Sequence, residues 1–480
     1  MSELSAPPAQ QPPASPTPAT ASSDSGLRRT MTSRHLVMIA LGGVIGSGLF
    51  VSSGYTIAQA GPLGAVLAYA VGALVAYMVM SGLGELSARH PVAGGFHAHA
   101  TRDLGPAWGF ATAWLYWMCW AVALASEFTA SGILMQRWFP TVPVWVFSLL
   151  FAALLFMLNA VSSKVFAETE FWFSLIKVAA VVLMIVVGAA TILGINPASD
   201  AGPIGLANFD TGQGLFPMGI SGVLVTILAV FYAFSGTELI GVAAGEAKNP
   251  ELSIPRAIRT AVVRLAVFFI GAIVVIAAII PFAEAGANES PFVTVLDAAG
   301  LPAGADIMNF VIITALLSAG NSGLYSCARM LHAMGAAGQA PAVLSKTNRR
   351  GVPMLALCLS LLGGLASLLS GVIAADSLFL ALVSISGFAV VAVWIVICAS
   401  HLSFRRHYVA VHGGTDSLPY RAPLFPVLPI LALLLLTASL VGVAFDPVQR
   451  PALWFGVPFT LLCLGYYRWR HGAGVFTPKR

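Results

Sequence analysis

Long apolar segments recur along the chain from Leu36 to Trp469, and only short polar connections separate them. Hydrocarbon about 30 Å thick needs about 20 apolar residues per spanning helix. The segments are continuous rather than alternating, which predicts membrane helices and excludes the strands of a barrel. Twelve spans are predicted, at 36–57, 62–84, 107–135, 143–160, 170–194, 218–244, 257–282, 303–333, 354–372, 376–401, 424–444 and 452–469.

The composition supports one membrane domain rather than several soluble ones. Of the 480 residues, 58% are hydrophobic and only 9% are charged, whereas about 25% of a soluble domain is charged. The predicted membrane domain covers residues 31–470. A tail rich in Ala, Pro and Ser, residues 1–30, precedes it and is expected to be disordered because it has little to bury. A short tail, residues 471–480, follows.

The net charge of +5 does not indicate a nucleic-acid partner, because the basic residues form short clusters between the spans. Twelve spans place both termini on one side of the membrane. All of the 24 Lys and Arg residues lie on that side except Arg137, Arg450 and Lys177. The positive-inside rule makes that side the cytoplasm. The sequence therefore predicts a multi-pass membrane protein with cytoplasmic termini.

Two spans contain residues that weaken a helix. Four glycines fall within residues 42–48 of the first span, and residues 233–238 of the sixth contain Gly236 beside Glu238. Spans one and six correspond if spans one to five and six to ten are inverted repeats. Close helix packing is the alternative explanation of the small residues. Broken helices expose N–H groups to a carboxylate and carbonyls to an ammonium, which suits a zwitterionic amino acid.

Several stretches extend this pattern to a known family: residues 33–50, 84–96, 167–178, 234–246, 315–326 and 349–353. In these stretches, and over about residues 30–470, the chain resembles the bacterial amino acid transporter family of the amino acid, polyamine and organocation (APC) superfamily. The resemblance implies a five-plus-five inverted repeat with broken helices 1 and 6, two further C-terminal helices, and proton-coupled uptake. Residues 385–406 and 420–429 are most similar to S-methylmethionine permeases. Residues 126–128, 134–140 and 346–353 are equally similar to arginine permeases.

The resemblance also implies which residues bind the substrate. The segment that would bind the substrate carboxylate consists of Ile45, Gly46, Ser47 and Gly48. The carbonyls that would bind the ammonium belong to Val44, Tyr232 and Ser235. Phe234 and Tyr232 would form aromatic walls on which a cation can rest, although packing or lipid contact is the plainer explanation of an aromatic side chain in a membrane helix.

Lys177, Glu238 and Glu127 are predicted to lie well inside the membrane, where ionisable groups are costly and are functional candidates. The resemblance places Lys177 near the carbonyls of the broken first helix, at about Gly43, as a proton-coupling residue; snorkelling to the interface is the alternative. Glu238 either titrates during transport or holds the broken segment. Glu127 is expected near the substrate side chain, where its charge would favour a cationic substrate. Proton handling and helix packing are its other possible roles.

Other classes of function have little support in the sequence. The segment 219–222 formally matches a GxSG protease motif, but the nine histidines lie in tails, loops or span ends, so no deep base accompanies it. Neither a metal-ligand pair nor a P-loop is present, and an enzyme, a metal and a cofactor are not expected. The prediction is an amino acid permease, with S-methylmethionine as first substrate and arginine, lysine or another amino acid as alternatives. A non-transporting amino acid sensor is the alternative from another class. The expected partners are the amino acid, protons and the lipid bilayer.

Overall fold

The computed structural model describes residues 33–92, 95–161, 163–195, 203–242, 244, 247, 249–472 and 474–478. The predicted tail 1–30 lies outside these residues, as do residues 473, 479 and 480 of the second tail. Helices make up most of the described chain. They are α1 (Ser33–Val44), α2 (Ser47–Phe50), α3 (Ser52–Arg89), α4 (Phe96–Asp103), α5 (Pro106–Met135), α6 (Val144–Val161), α7 (Ser163–Ile192), α8 (Gly219–Ala233), α9 (Leu239–Val242), α10 (Pro250–Ile279), α11 (Pro291–Ala298), α12 (Pro302–Ala336), α13 (Met354–Gly364), α14 (Ala375–His412), α15 (Val427–Val443) and α16 (Arg450–His471).

Each predicted apolar segment coincides with helical structure. Within the described residues, seven helical segments are long and apolar enough to cross a membrane, and α8, α15 and most of α6 form shorter apolar helices. The all-helical membrane architecture is therefore confirmed. The count of twelve spans and the inverted repeat remain predictions.

The helical structure of the first and sixth predicted spans is interrupted at the glycine-rich segments. Helix α1 ends at Val44 and α2 begins at Ser47, with Gly46 in an extended conformation between them (φ −143°, ψ −152°). Helix α8 ends at Ala233, and α9 begins only at Leu239. Both interruptions leave backbone groups outside regular helices in the interior of the protein, where polar partners must satisfy them.

The chain bends at the predicted boundary between the first two spans, although no loop separates them. Helix α3 runs from Ser52 to Arg89 and includes the end of span one and all of span two. The chain bends at Gly61, whose φ of +74° is left-handed, and Pro62 follows it. Proline is tolerated in the first turn of a helix, so the segment after the bend starts at Pro62 without a separating loop.

Helix α5 holds the central position and packs against α4, α6, α12, α13, α14 and α16. Almost all of its side chains between Pro106 and Leu134 are buried. Small residues on several sides of α5 allow this close approach; at Gly363 of α13, for example, an added Cβ would lie 2.6 Å from the Cβ of Ala121. This packing brings the middle of α5 against the interruption between α1 and α2.

Candidate functional site

The two helix interruptions lie directly against each other. Gly236 has a φ of +96°, and a Cβ on it would lie 3.0 Å from the carbonyl carbon and oxygen of Gly43. A Cβ on Gly48 would lie 2.6 Å from the Cα of Ala233. A side chain at either glycine would push the segments apart, and Gly236 also needs the left-handed conformation that glycine adopts without strain.

A carboxylate from α5 lies at the first interruption. The N–H of Ser47 donates to both oxygens of Glu127, each at 3.2 Å, and the Ser47 hydroxyl donates to Oε1 at 2.9 Å. Ser47 is fully buried and Glu127 is 5% exposed. A Cβ on Gly46 would lie 2.8 Å from Oε1 of Glu127, so the absence of a side chain at Gly46 permits this approach.

Tyr232, at the end of α8, completes the group of hydroxyls around this carboxylate. Its hydroxyl lies 2.8 Å from that of Ser126 and 3.2 Å from that of Ser47, and it donates to Oε1 of Glu127 at 3.4 Å. The Ser126 hydroxyl donates to the carbonyl of Ala123 at 2.8 Å. Residues from α2, α5 and α8 therefore form one buried hydrogen-bond network.

The other residues predicted to contact the substrate are buried beside the two helix interruptions. Val44 and Ile45 are buried at the end of α1. The carbonyl of Tyr232 accepts the N–H of Ser235 at 3.0 Å, which leaves one lone pair for another donor. The Phe234 ring packs 4.9 Å from Phe269, centroid to centroid, and is fully buried there.

Lys177 of α7 is fully buried, and its ammonium donates to the carbonyl of Gly42 at 2.6 Å. This acceptor is one residue from the position that the resemblance implied, and it lies in the last turn of α1. The contact joins α7 to the broken first span.

Glu238 accepts hydrogen bonds within the second interruption. Its Oε1 accepts the N–H of Gly236 at 3.0 Å, and its Oε2 accepts the indole N–H of Trp394, from α14, at 3.4 Å. Glu238 is 1% exposed. These contacts fit a role for Glu238 in holding the interrupted segment of the sixth span, which is one of the two roles expected from the sequence.

Two members of these networks were not identified from the sequence. Ser126 and Trp394 both lie in stretches that carry the family resemblance, 126–128 and 385–406. Neither residue has a local pattern that distinguishes it from a packing residue. Their contacts depend on how α5 and α14 are rotated against the broken spans.

The arrangement consists of uncharged donors around a buried carboxylate between two broken helices, with a lysine that contacts the end of α1. The sequence profile of the family described as "Amino acid permease" matches residues 35–467. The chain belongs to this family of amino acid permeases.

Similar proteins cover nearly the whole chain. The amino-acid permease RocE of Bacillus subtilis (strain 168) is 49% identical over 441 residues, which span 92% of this chain and 94% of RocE. A putative histidine permease of the same strain is 49% identical over 93% of this chain and 94% of its own length. The lysine-specific permease LysP of Escherichia coli (strain K12) is 41% identical over 91% of each chain. These relatives are named as transporters rather than enzymes.

Proposed function

We propose that the protein imports an amino acid with a cationic side chain across the bacterial inner membrane, together with protons and by alternating access. The observation that carries the proposal is the pair of donors on Ser47, which converge on one carboxylate between the two helix breaks. A free amino acid has such a carboxylate on its α-carbon. Alternating access needs a buried site between elements that can move, and discontinuous helices provide one.

The sequence and the similar proteins each give a reason to expect a substrate with a cationic side chain. Residues 385–406 and 420–429 favour S-methylmethionine, which carries a sulfonium. LysP, named as lysine-specific, favours lysine or the similar arginine. Each of these side chains carries one positive charge, and entry into a negative interior is favoured by about 2.3 kcal/mol per charge per 100 mV. The membrane potential therefore favours import of such a substrate.

The site assignments follow from the predicted contacts and their geometry. Ser47, with Ile45, Gly46 and Gly48 beside it, binds the substrate carboxylate. The carbonyls of Val44, Tyr232 and Ser235 accept hydrogen bonds from the substrate ammonium. The aromatic rings of Phe234 and Tyr232 form the walls of the substrate site. Lys177 exchanges the coupled proton, Glu238 supports the second break or titrates with it, and Glu127 contacts the substrate.

Uptake by the purified protein in liposomes tests this function. We expect labelled S-methylmethionine, arginine or lysine to accumulate when the interior is negative and the exterior acidic. Competition with the twenty amino acids and S-methylmethionine identifies the preferred substrate. Binding without any uptake, under gradients of either sign, would instead identify a sensor.

The coupling role of Lys177 has its own test. We expect Lys177→Ala to lose uphill accumulation driven by a pH gradient, because the exchangeable proton is removed, while substrate exchange across the membrane persists. Lys346→Ala, at an exposed lysine, is the control and should accumulate substrate as the unmodified protein does. Uphill uptake by Lys177→Ala under the same gradient would make Lys177 a structural residue.

A further inference from the structure

The Glu127 carboxylate occupies the position proposed for the substrate carboxylate. It takes the N–H and the hydroxyl of Ser47, at 3.2 and 2.9 Å, and contacts the Tyr232 hydroxyl. These are the donors that the proposed function assigns to the ligand or places beside it. The protein's own side chain therefore forms the interaction that a bound amino acid would form.

The donors cannot serve both carboxylates at once. One backbone N–H and one serine hydroxyl supply two protons for hydrogen bonding, and the Glu127 carboxylate already accepts both. Two carboxylates side by side in a buried site also repel each other, and one of them then holds a proton. A ligand carboxylate that reaches Ser47 must therefore displace Glu127.

What happens to Glu127 after displacement depends on the ligand. A cationic side chain gives the ionised carboxylate a new partner. A neutral side chain gives it none, and a buried carboxylate without a partner is costly unless it takes up a proton. The two kinds of ligand thus differ in whether binding requires a proton.

We propose that Glu127 is an internal competitor for the substrate-carboxylate site and that this competition selects cationic amino acids. A cationic ligand displaces the ionised carboxylate, whereas a neutral ligand binds only as Glu127 becomes protonated. The inference rests on the proposed function, because it takes Ser47 as the binding group for the ligand carboxylate. It makes Glu127 a specificity-determining residue.

Within the hydrogen-bond network around Ser47, Glu127 is the group that can take up a proton at neutral pH. Helix α8 contributes Tyr232, whose phenol stays protonated at neutral pH. Lys177 of α7, whose ammonium donates to the carbonyl of Gly42, is a charged group at the first helix break. Helices α2 and α12 contribute Ser47 and Gly320, which do not titrate.

Two pairs of ligands of similar shape test the inference: arginine with citrulline, and S-methylmethionine with methionine. For the unmodified protein we expect neutral-ligand affinity to fall by up to about tenfold per pH unit between pH 6 and 8, because one proton is taken up. The affinity for the cationic ligands should change little. Glu127→Gln should bind the neutral ligands at pH 8 at least about tenfold more tightly, with the pH dependence removed. Glu251→Gln, at an exposed position in the first turn of α10, is the control.

A calorimetric measurement on the unmodified protein tests the inference without a variant. Citrulline binding at pH 8, measured in two buffers of different ionisation enthalpy, should take up about one proton, and arginine binding about none. Equal proton uptake with both ligands, or neutral-ligand affinity in Glu127→Gln that is unchanged or weaker, would overturn the inference. If neither the four ligands nor lysine binds the unmodified protein, the proposed function itself fails. If the cationic ligands bind but the neutral-ligand results differ from those expected, only the inference fails.

Discussion

Glu85 and Glu127 are both buried carboxylates on membrane helices, but they differ in the partners that hold them. Glu85 of α3 accepts two hydrogen bonds from the Arg405 guanidinium, at 2.6 Å for Nε to Oε1 and a shorter contact for Nη2 to Oε2. The N–H of Ala422 donates to it at 2.7 Å, and Nε2 of His401 lies 3.3 Å away. The donors to Glu127, by contrast, are the uncharged groups of Ser47 and Tyr232.

The comparison separates a fixed carboxylate from a displaceable one. Bidentate pairing with arginine is among the strongest hydrogen-bonded contacts in proteins, and it ties α3 to α14 across 320 residues of sequence. Hydrogen bonds from uncharged donors are weaker, and another carboxylate can replace Glu127 as their acceptor. We infer that Glu85 fixes the packing of its helices, whereas Glu127 changes partner when substrate binds.

The largest effect is expected where the fixed pair loses its cation. Arg405→Ala should lower the free energy of unfolding by about 3–5 kcal/mol, because it leaves the Glu85 charge buried without a counter-ion. Thermal unfolding in detergent measures it. Arg406→Ala, at the adjacent exposed arginine, is the control and should unfold within the error of the unmodified protein. Equal losses of stability in Arg405→Ala and Arg406→Ala would show that the pairing of Glu85 with Arg405 adds no stability of its own.

The same substitution at each carboxylate compares the two regions directly. Glu85→Gln should cost about 3 kcal/mol of stability, since it leaves Arg405 as a buried unpaired charge. Glu127→Gln should cost less than about 1 kcal/mol, because the amide oxygen still accepts from Ser47. Thermal unfolding of both variants under one condition gives the difference. Equal losses would contradict the distinction between fixed and displaceable carboxylates.

A smaller effect is expected from a buried histidine near the fixed pair. Helix α4 packs on α14, where the Ser403 hydroxyl donates to the carbonyl of Asp103 at 2.6 Å. Burial, and then the nearby Arg102 charge, lower the pKa of His99 in α4 well below its ordinary value. The folded protein therefore holds His99 neutral, and stability is lost as the pH falls through the unfolded value of about 6.5.

Replacement of His99 should reduce this sensitivity to acid. Between pH 7 and 5.5, His99→Leu should lose about 1 kcal/mol less stability than the unmodified protein, because one proton-binding group of the unfolded state is removed. His407→Leu, at an exposed position of α14, is the control. Unfolding curves at both pH values decide the matter, and an unchanged acid sensitivity in His99→Leu would show that His99 is not its source.

The sequence predicted the helices and the two interruptions, because both follow from local composition. Continuous apolar runs favour membrane helices, and clustered glycines weaken them, whatever the neighbouring helices do. The bend at Gly61 falls in the predicted gap between spans one and two, and the second segment begins at Pro62 as expected. The lack of a loop there could not be predicted, because a Gly-Pro pair marks a turn equally well and only the packing decides whether helical structure resumes at once.

The partners of the buried charges could be predicted only in part. The contact of Lys177 with the end of α1 came from the family resemblance and was one residue from the observed acceptor. Two contacts depend on how α5 and α14 are rotated about their axes. They are the pairing of Glu85 with Arg405 and the contact of Glu127 with Ser47, which was not expected from the sequence. Helical periodicity in such uniformly apolar segments does not determine that rotation.

The central claim is that Ser47 binds the substrate carboxylate, and substrate binding to Ser47→Leu tests it most directly. Leucine fills the buried position and removes the hydroxyl, while the segment remains apolar enough for the membrane. The account predicts that the purified variant stays folded by size-exclusion chromatography and thermal unfolding, and shows no detectable binding of arginine, lysine or S-methylmethionine. Affinity equal to that of the unmodified protein, for whichever of these ligands it binds, would contradict the claim and move the substrate site away from the two helix breaks.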